Sequence, residues 1–166
     1  MNQSIASLVQ TLSDLLQKLS IKIVLAESCT GGLLAAHLTA QAGSSLWFDR
    51  GFVTYSNASK TESIGVLSSI IEQYGAVSEE VAKAMAQGAL NHSAAKTSIA
   101  ITGIAGPGGS TENKPVGMVC FAWAVQFPGS PALLIASTQI FDGDRQAIRE
   151  HACAYALNEL IQILRK

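Results

Sequence analysis

The sequence predicts a three-layer α/β/α fold with a mixed, mostly parallel sheet of about five strands. Three observations support this prediction. Helical and extended patterns alternate along the chain, and one short apolar strand runs through a small polar turn into a helix, which is half of a βαβ unit. Two long strand patterns near the end are joined only by PGSP at 128–131, which indicates an antiparallel hairpin. We expect a single domain over residues 1–166, because this length suits one core.

The first third of the chain begins with a helix and a buried strand. Apolar residues recur every three or four positions over 5–19, which predicts an amphipathic helix. The β-branched run IKIVLA at 21–26 predicts a strand buried on both faces, and LLAAHL at 33–38 predicts a second helix. The segment LWFDRGFVTY at 46–55 predicts a second strand, interrupted near Gly51.

The middle of the chain is mostly helical. Short helices are predicted at 60–64 and 67–74. Ser78 is a favourable N-cap for a longer helix that continues to about residue 92, and two glutamates follow it in the first turn, where the helix dipole favours acids. The run SIAIT at 98–102 then predicts another buried strand.

The last third contains the two strands of the hairpin and a closing helix. The strands are predicted at 116–127 and 133–141, and the helix at 144–164. Trp47 and Trp123 lie within or beside strand patterns, so we expect both to pack in the core.

The composition excludes several classes of protein. The formal net charge of the 166 residues is -1, so the chain lacks the basic excess of a nucleic-acid binder. No apolar stretch approaches the roughly 20 residues of a spanning helix, which excludes an integral membrane protein. The N-terminal segment lacks the pattern of a signal peptide, so we expect a cytoplasmic protein.

The chain is also poor in charged residues. They make up 14% of the sequence, whereas about 25% is typical of soluble domains. Because charged residues are depleted at the cores of interfaces, we expect a homo-oligomer, a dimer or larger. The Ala-rich helix at 78–92 and the strand at 116–127 are the candidate contact segments.

Two polar, glycine-rich segments follow predicted buried strands, where open α/β sheets bind their ligands. In the first, Ser28, Cys29 and Thr30 are three possible nucleophiles before Gly31 and Gly32. Free N–H groups at the start of the next helix would suit an oxyanion or a phosphate. A plain turn and helix cap with no chemistry is an equally good interpretation of this pattern.

The second segment runs from Thr102 through GIAGPGG at 103–109 to Ser110. It fits no dinucleotide-binding pattern, because no helix follows it. It is either a flexible surface loop or a loop whose amides contact a ligand.

Two more positions are candidates for chemistry. Tyr55 and Lys60 follow the second strand, and a lysine acts as a base only where its pKa is depressed below its usual value of about 10.4; otherwise it is a solvated surface residue. Arg145 follows a strand end, where it forms surface salt bridges or faces the crevice. The three histidines and three cysteines have no metal-ligand spacing, so we expect no metal site and no cofactor.

Several of these segments together resemble the CinA C-terminal domain family. The matching motifs occur in the family's order and cover nearly the whole chain, and they are AESCTGG at 26–32, GFVTYSN at 51–57 with Lys60, GAVS at 75–78, TGIAGPGG at 102–109, KPVG at 114–117 and GDR at 143–145. Departures are confined to the loop at 110–113 and to Met118, where we expect the family to vary. The length matches a stand-alone form without the larger N-terminal domain that some members carry.

The resemblance implies an activity and roles for individual residues. The family's activity is hydrolysis of nicotinamide mononucleotide to nicotinate mononucleotide and ammonia, in the recycling of pyridine nucleotides. Ser28 is then the nucleophile, Lys60 and Tyr55 its activating pair, and the amides near Thr30 and Gly31 the oxyanion donors. Cys29 is assigned to packing.

The resemblance does not by itself say which residues bind the phosphate of the substrate. The expected substrate-binding residues are those of the two glycine-rich segments together with one arginine, and they are Thr30, Gly31, Gly32, Thr102, Gly103, Gly106, Gly108, Gly109, Ser110 and Arg145. No metal is required, since the pyridinium charge already activates the carboxamide.

Two other functions compete with this one. A non-catalytic nucleotide-binding module would keep the glycines but would not need Ser28, Tyr55 and Lys60 together. An accessory protein in DNA uptake or damage response would be expected to carry a basic stripe, which the sequence lacks.

Overall fold

The computed structural model describes residues 3–166 and confirms the α/β/α architecture. One five-stranded sheet has the strand order β2-β1-β3-β4-β5. The strands are β1 (Ile23–Glu27), β2 (Phe48–Val53), β3 (Thr97–Gly103), β4 (Met118–Val125) and β5 (Leu133–Ile140). The helices are α1 (Ile5–Leu19), α2 (Leu33–Thr39), α3 (Asn57–Ile64), α4 (Ser68–Tyr74), α5 (Glu79–Asn91) and α6 (Arg145–Leu164). Among the described residues, no helix is both long and apolar enough to cross a membrane.

The strand directions explain why the sheet is mixed. β1 lies between β2 and β3 and is parallel to both. β4 is antiparallel to β3 and to β5, so four strands run in one direction and β4 runs in the other. The predicted hairpin is therefore confirmed, and the carboxyl ends of β1, β2 and β3 meet at one edge of the sheet.

Each face of the sheet has its own apolar layer. On one face, α1, α2 and α6 cover a cluster that includes Leu12, Leu34 and Trp123. On the other, α3, α4 and α5 cover a cluster that includes Ile64 and Met85. Trp47 and Trp123 are each 1% exposed, which confirms that they are core residues.

The predicted interruption of the second strand at Gly51 is wrong. Gly51 pairs with Leu25 in a continuous β2, and the irregularity lies at Asp49, which is the extra residue between the pairs Ile23–Phe48 and Val24–Arg50. A side chain at Gly51 would meet the Cβ atom of Ala35 in α2 at 3.5 Å, an ordinary van der Waals distance, so packing does not require a glycine at this position.

The two segments expected to form an oligomer contact are used inside the protomer. β4 lies between two other strands, and its residues from Val119 to Val125 are at most 1% exposed. The alanines of α5 pack against the sheet, with Ala82, Ala86 and Ala89 fully buried. Small residues at these positions allow a close approach of helix and sheet, so the apolar composition of both segments belongs to the core. The expectation for the strand at 116–127 is therefore wrong.

Candidate active site

The turns that follow β1, β2 and β3 carry most of the predicted site residues. Ser28 begins the turn after β1, and Lys60 lies in α3, which begins four residues after β2 ends. The main chain joins these turns, since Ser28 N–H donates to Ile101 O of β3 at 2.9 Å and Thr54 N–H donates to Glu27 O at 2.8 Å. The ends of the three strands therefore form one connected platform.

A buried amine contacts the serine hydroxyl at this platform. Lys60 Nζ lies 3.0 Å from Ser28 Oγ, 2.8 Å from Thr54 O and 3.5 Å from Tyr55 O. Lys60 is only 1% exposed, and Ser28 is 8% exposed. The structure thus brings the predicted nucleophile and the predicted base into direct contact.

The local sequence explains how α3 delivers this lysine. Ser56 caps the helix by accepting a hydrogen bond from Ser59 N–H at 3.0 Å, so the helix starts at Asn57, after a turn of three residues. Lys60 then falls on the same inner face as Ile64, which is buried against α5. Gly88 of α5 makes room for this contact, because a side chain there would collide with the Ile64 carbonyl oxygen.

The surroundings of Lys60 favour its neutral form. Burial lowers the pKa of Lys60 from its ordinary value, because desolvation penalises the ammonium form. The ion pairs found among residues 3–166 join His37 to Glu150 and Arg50 to Asp49, so no carboxylate in that range stabilises a charge on Lys60. Lys60 Nζ donates to Ser28 Oγ and to the carbonyl oxygens of Thr54 and Tyr55, and loss of one proton gives the amine a lone pair that can accept the proton of the Ser28 hydroxyl.

Cys29 is not placed for nucleophilic chemistry. Its side chain belongs to the core beneath the turn and is 7% exposed. Burial raises the pKa of its thiol to about 12, so the thiol is protonated at neutral pH and is a poor nucleophile. This confirms its assignment to packing.

The expectation of free N–H groups at the start of α2 is wrong for most of the turn. Gly31 N–H donates to Ser28 O at 3.0 Å, and Gly32 N–H donates to the carboxylate of Glu27 at 3.1 Å. Within residues 3–166, the amides of Cys29 and Thr30 are the ones in this turn that have no acceptor in another residue. Thr30 Oγ1 is also buried without a partner in that range. Thr30 therefore keeps its place as a candidate donor, whereas the amide of Gly31 is occupied.

Tyr55 lies at the entrance of the site rather than beside the nucleophile. Its side chain is 60% exposed, and its phenol oxygen accepts a hydrogen bond from Arg145 Nη2 at 3.0 Å. Its main-chain carbonyl, and not its phenol, faces the amine of Lys60. Arg145 also donates to Gly106 O at 2.8 Å, so it bridges the turn after β2 and the second glycine-rich segment.

The residues of that second segment differ in their surroundings. Thr102 is buried and donates to Ala76 O at 2.8 Å, and a side chain at Gly103 would meet Val119 Cγ2 at 2.8 Å. Both are explained by packing alone. The residues Gly108, Gly109 and Ser110 are exposed. Across residues 3–166 there is no cluster of three histidine, cysteine, aspartate or glutamate side chains that would hold a metal ion.

Two charged residues near the turn have contacts that the sequence analysis missed. The Glu27 carboxylate accepts three main-chain hydrogen bonds from the start of α2. Arg149 of α6 donates to Thr30 O at 2.8 Å. The signal for Glu27 was its place at the end of a buried strand, before a helix with no capping side chain. Arg149 had no local signal, because its partner is 119 positions away.

Comparison with known proteins places these features in a family. The family model for the CinA C-terminal domain matches residues 5–164. The chain is 49% identical over 140 residues to the nicotinamide-nucleotide amidohydrolase PncC of Enterobacter agglomerans, covering 84% of this chain and 83% of that one. It is 42% identical over 159 residues to the protein of the same name from Pseudomonas putida, covering 96% of each.

A solved structure agrees with the sequence matches. The crystal structure of the competence/damage inducible protein CihA from Agrobacterium tumefaciens is 40% identical, covers 100% of both chains and superposes with a TM-score of 0.89. Because the family model and the relatives each span most of the sequence, the chain belongs to the CinA C-terminal domain family.

Proposed function

We propose that this chain, acting as a single domain, hydrolyses the carboxamide of nicotinamide mononucleotide to nicotinate mononucleotide and ammonia. The observation that carries the proposal is the 3.0 Å contact between Ser28 Oγ and the buried amine of Lys60. It agrees with the amidohydrolase names of two relatives that match most of the chain. The reaction belongs to the recycling of pyridine nucleotides.

The chemistry follows from a neutral lysine beside a serine. Lys60 Nζ takes the proton of the Ser28 hydroxyl while Oγ forms a bond to the carboxamide carbon. The tetrahedral adduct collapses by breaking the C–N bond, and the protonated Lys60 gives its proton to the departing nitrogen, which leaves as ammonia. Water then attacks the acyl-enzyme, and Lys60 accepts one proton of the water. The bond between the acyl carbon and Ser28 Oγ breaks as Lys60 passes that proton to Oγ, and the released acid ionises to nicotinate mononucleotide by giving the other water proton to solvent.

The developing oxyanion needs hydrogen-bond donors. The amides of Cys29 and Thr30 are adjacent to the nucleophile and have no acceptor in another residue within 3–166. Donors fixed before the reaction stabilise an oxyanion without the cost of reorganising solvent. We assign this role to them in place of the occupied amide of Gly31.

We assign binding of the substrate's phosphate to exposed residues around Arg145, at the entrance of the site. Arg145 is exposed and already connects Tyr55 to Gly106, so its guanidinium is suited to a phosphate. The exposed Gly108, Gly109 and Ser110 follow Gly106 in the same segment, and we assign their main-chain and hydroxyl donors to the same phosphate. The phenol of Tyr55 then positions Arg145 rather than activating Ser28. The mechanism uses no metal or cofactor.

The second part of the proposal is a homo-oligomer formed through β5. This edge strand has the sequence LLIASTQI, with no charge and no proline, and its pairing with β4 has no bulge. Natural proteins normally protect such an edge. Leu133 and Ile140 are 41% and 63% exposed, so a second copy pairing here would cover apolar surface. We also propose a cytoplasmic location, tested by cell fractionation.

Two neighbouring substitutions test the activity. Ser28→Ala is expected to abolish ammonia release from nicotinamide mononucleotide in the presence of a chelator. Cys29→Ala removes the adjacent thiol and is expected to keep most of the turnover, since that thiol is buried and protonated. Full activity in Ser28→Ala would refute the nucleophile, and wild-type protein that binds the nucleotide without releasing ammonia would indicate a binding module.

A further inference from the structure

Glu27 is a buried carboxylate directly before the nucleophile. It is the last residue of β1 and is 1% exposed. One of its oxygens accepts from Gly32 N–H and Leu34 N–H, each at 3.1 Å, and the other accepts from Ala35 N–H at 2.8 Å. Its charge is therefore balanced by the amides that a helix leaves unpaired at its N-terminus.

The start of α2 depends on this carboxylate. The N-cap is Gly32, which has a φ of 94° and no side chain to cap the helix, and the first turn contains no acidic residue. Glu27 supplies the missing acceptors from outside the helix. A carboxylate on the preceding strand thereby fixes where the helix starts, and so fixes the turn between them.

The hydrogen bonds to Glu27 also determine which main-chain amides near Ser28 remain available to bind an oxyanion. Of the amides in this turn and the first turn of α2, six have acceptors within the chain, and they are those of Ser28, Gly31, Gly32, Leu33, Leu34 and Ala35. The amides of Cys29 and Thr30 have no acceptor in another residue of the described range, 3–166. Arg149 of α6 also restrains the turn, by donating to Thr30 O at 2.8 Å.

We propose that Glu27 is a positioning residue for the acylation step, because it holds the turn in the geometry that points the Cys29 and Thr30 amides at the developing oxyanion. The inference rests on the proposed function. Glu27 itself does not touch the substrate and exchanges no proton. Glu27 stabilises the transition state, in which the oxyanion forms, so its loss should lower kcat more than it changes KM.

The first test is Glu27→Gln. An amide group in this place turns an NH2 donor toward main-chain N–H groups, so at least one of the three hydrogen bonds is lost. A displacement of the turn by a fraction of an ångström is expected to lower kcat about 10- to 100-fold, with KM changed by less than about threefold. Glu27→Asp keeps the charge but is one methylene shorter, and the same split between kcat and KM is expected.

A matched control separates positioning from stability. Ser98→Ala also removes a buried side-chain hydrogen bond, the 2.9 Å contact to Ala86 O, at the end of β3 remote from Ser28. Its thermal midpoint should fall while kcat per folded enzyme stays at the wild-type value. If Glu27→Gln behaves like this control, with a lower midpoint and an unchanged kcat, then Glu27 is merely structural and the inference is wrong.

A second test measures amide hydrogen exchange in the wild-type protein, so it does not depend on whether a variant folds. The probe is 3-pyridineboronic acid, which forms a tetrahedral adduct with a serine hydroxyl. The amides of Gly32, Leu34 and Ala35 should be protected with and without it, and those of Cys29 and Thr30 should gain protection only with it. Unchanged exchange at the latter two in the adduct overturns the inference. Wild-type protein that releases no ammonia at all contradicts the proposed function instead, so the two failures are distinguishable.

Discussion

Lys60→Met removes the amine while keeping a side chain of similar length in a buried position. Lys60 is 1% exposed and contacts Ser28, Thr54 and Tyr55 through Nζ. A methionine fills the same space but neither accepts the serine proton nor donates to the two carbonyl oxygens. The substitution therefore separates the role of Lys60 as a base from its role in packing.

The expected magnitudes differ for catalysis and for folding. Loss of a positioned general base lowers kcat by about 10²- to 10⁴-fold, which is roughly 3–5 kcal/mol in the activation free energy. Folding loses a hydrogen bond to Thr54 O and a long one to Tyr55 O. An unsatisfied acceptor costs about 1–3 kcal/mol, and relief from burying an amine offsets part of it. Against a typical stability of about 5–15 kcal/mol, the variant is expected to stay folded.

The pH dependence gives an independent measure of the same group. Burial lowers the pKa of Lys60, so kcat/KM should rise with pH as the amine loses its proton, with a midpoint below the ordinary lysine value of 10.5. Between the lowered pKa and 10.5, the unfolded chain binds more protons at this position than the folded one. The contribution of Lys60 to stability therefore increases with pH across that window, and Lys60→Met should lack this increase.

The assay is ammonia release from nicotinamide mononucleotide across pH, combined with thermal unfolding of each variant. Lys60→Arg is the companion variant, since a guanidinium keeps hydrogen-bond donors and stays charged, so it supplies no base. Both variants are expected to be inactive while folded. If Lys60→Met retains more than a tenth of the wild-type kcat, or if the acid limb of the profile is unchanged in it, Lys60 is not the base.

The remaining predictions concern the entrance, the support of α3 and the sheet edge. Tyr55→Phe should lower kcat less than tenfold, because the phenol contacts Arg145 and not the reacting groups. A thousandfold loss of kcat would instead show that the Tyr55 phenol activates Ser28 together with Lys60. Arg145→Gln should raise KM for nicotinamide mononucleotide about 10-fold or more and leave the riboside without phosphate unaffected, whereas equal effects on both would exclude a phosphate contact. Gly88→Ala should destabilise the fold by about 1–3 kcal/mol in urea titrations, because its methyl group collides with the Ile64 carbonyl; wild-type stability would contradict that geometry. Ile135→Lys should convert the proposed oligomer to a monomer in sedimentation, and a monomeric wild type would remove the proposal.

The elements of the fold were predictable where their signal is local. The helix at 5–19 and the hairpin were found with nearly correct limits, because side-chain periodicity and turn residues act over a few positions. The bulge at Asp49 was not predicted, because it arises from the register between β1 and β2, which are distant in sequence. Gly51 looked like an interruption because glycine weakens a strand, yet the strand continues through it, since Arg50, Gly51 and Phe52 all pair with β1.

The site was predictable in its residues and less so in their contacts. Ser28 and Lys60 were found through the family motifs, and their contact depends on two strand ends brought together by the sheet. The role expected for the Tyr55 phenol differs from its placement, because a residue beside a turn points inward or outward according to tertiary packing. Glu27 was visible in the same motif, but its carboxylate was not interpreted as the group that caps α2, whose N-cap residue is Gly32.

The sequence has few charged residues, and only two acidic or basic side chains are buried in the part of the chain that the structure describes. Among the buried residues in 3–166, the ones with ionisable acidic or basic side chains are Glu27 and Lys60, and they form no ion pair with each other. A direct pair would hold Lys60 as an ammonium ion, which is useless as a base at neutral pH. Balancing Glu27 with three main-chain amides leaves Lys60 free to be neutral. The Glu27 carboxylate and the Lys60 amine can therefore both lie near Ser28 without forming an ion pair that would keep Lys60 protonated.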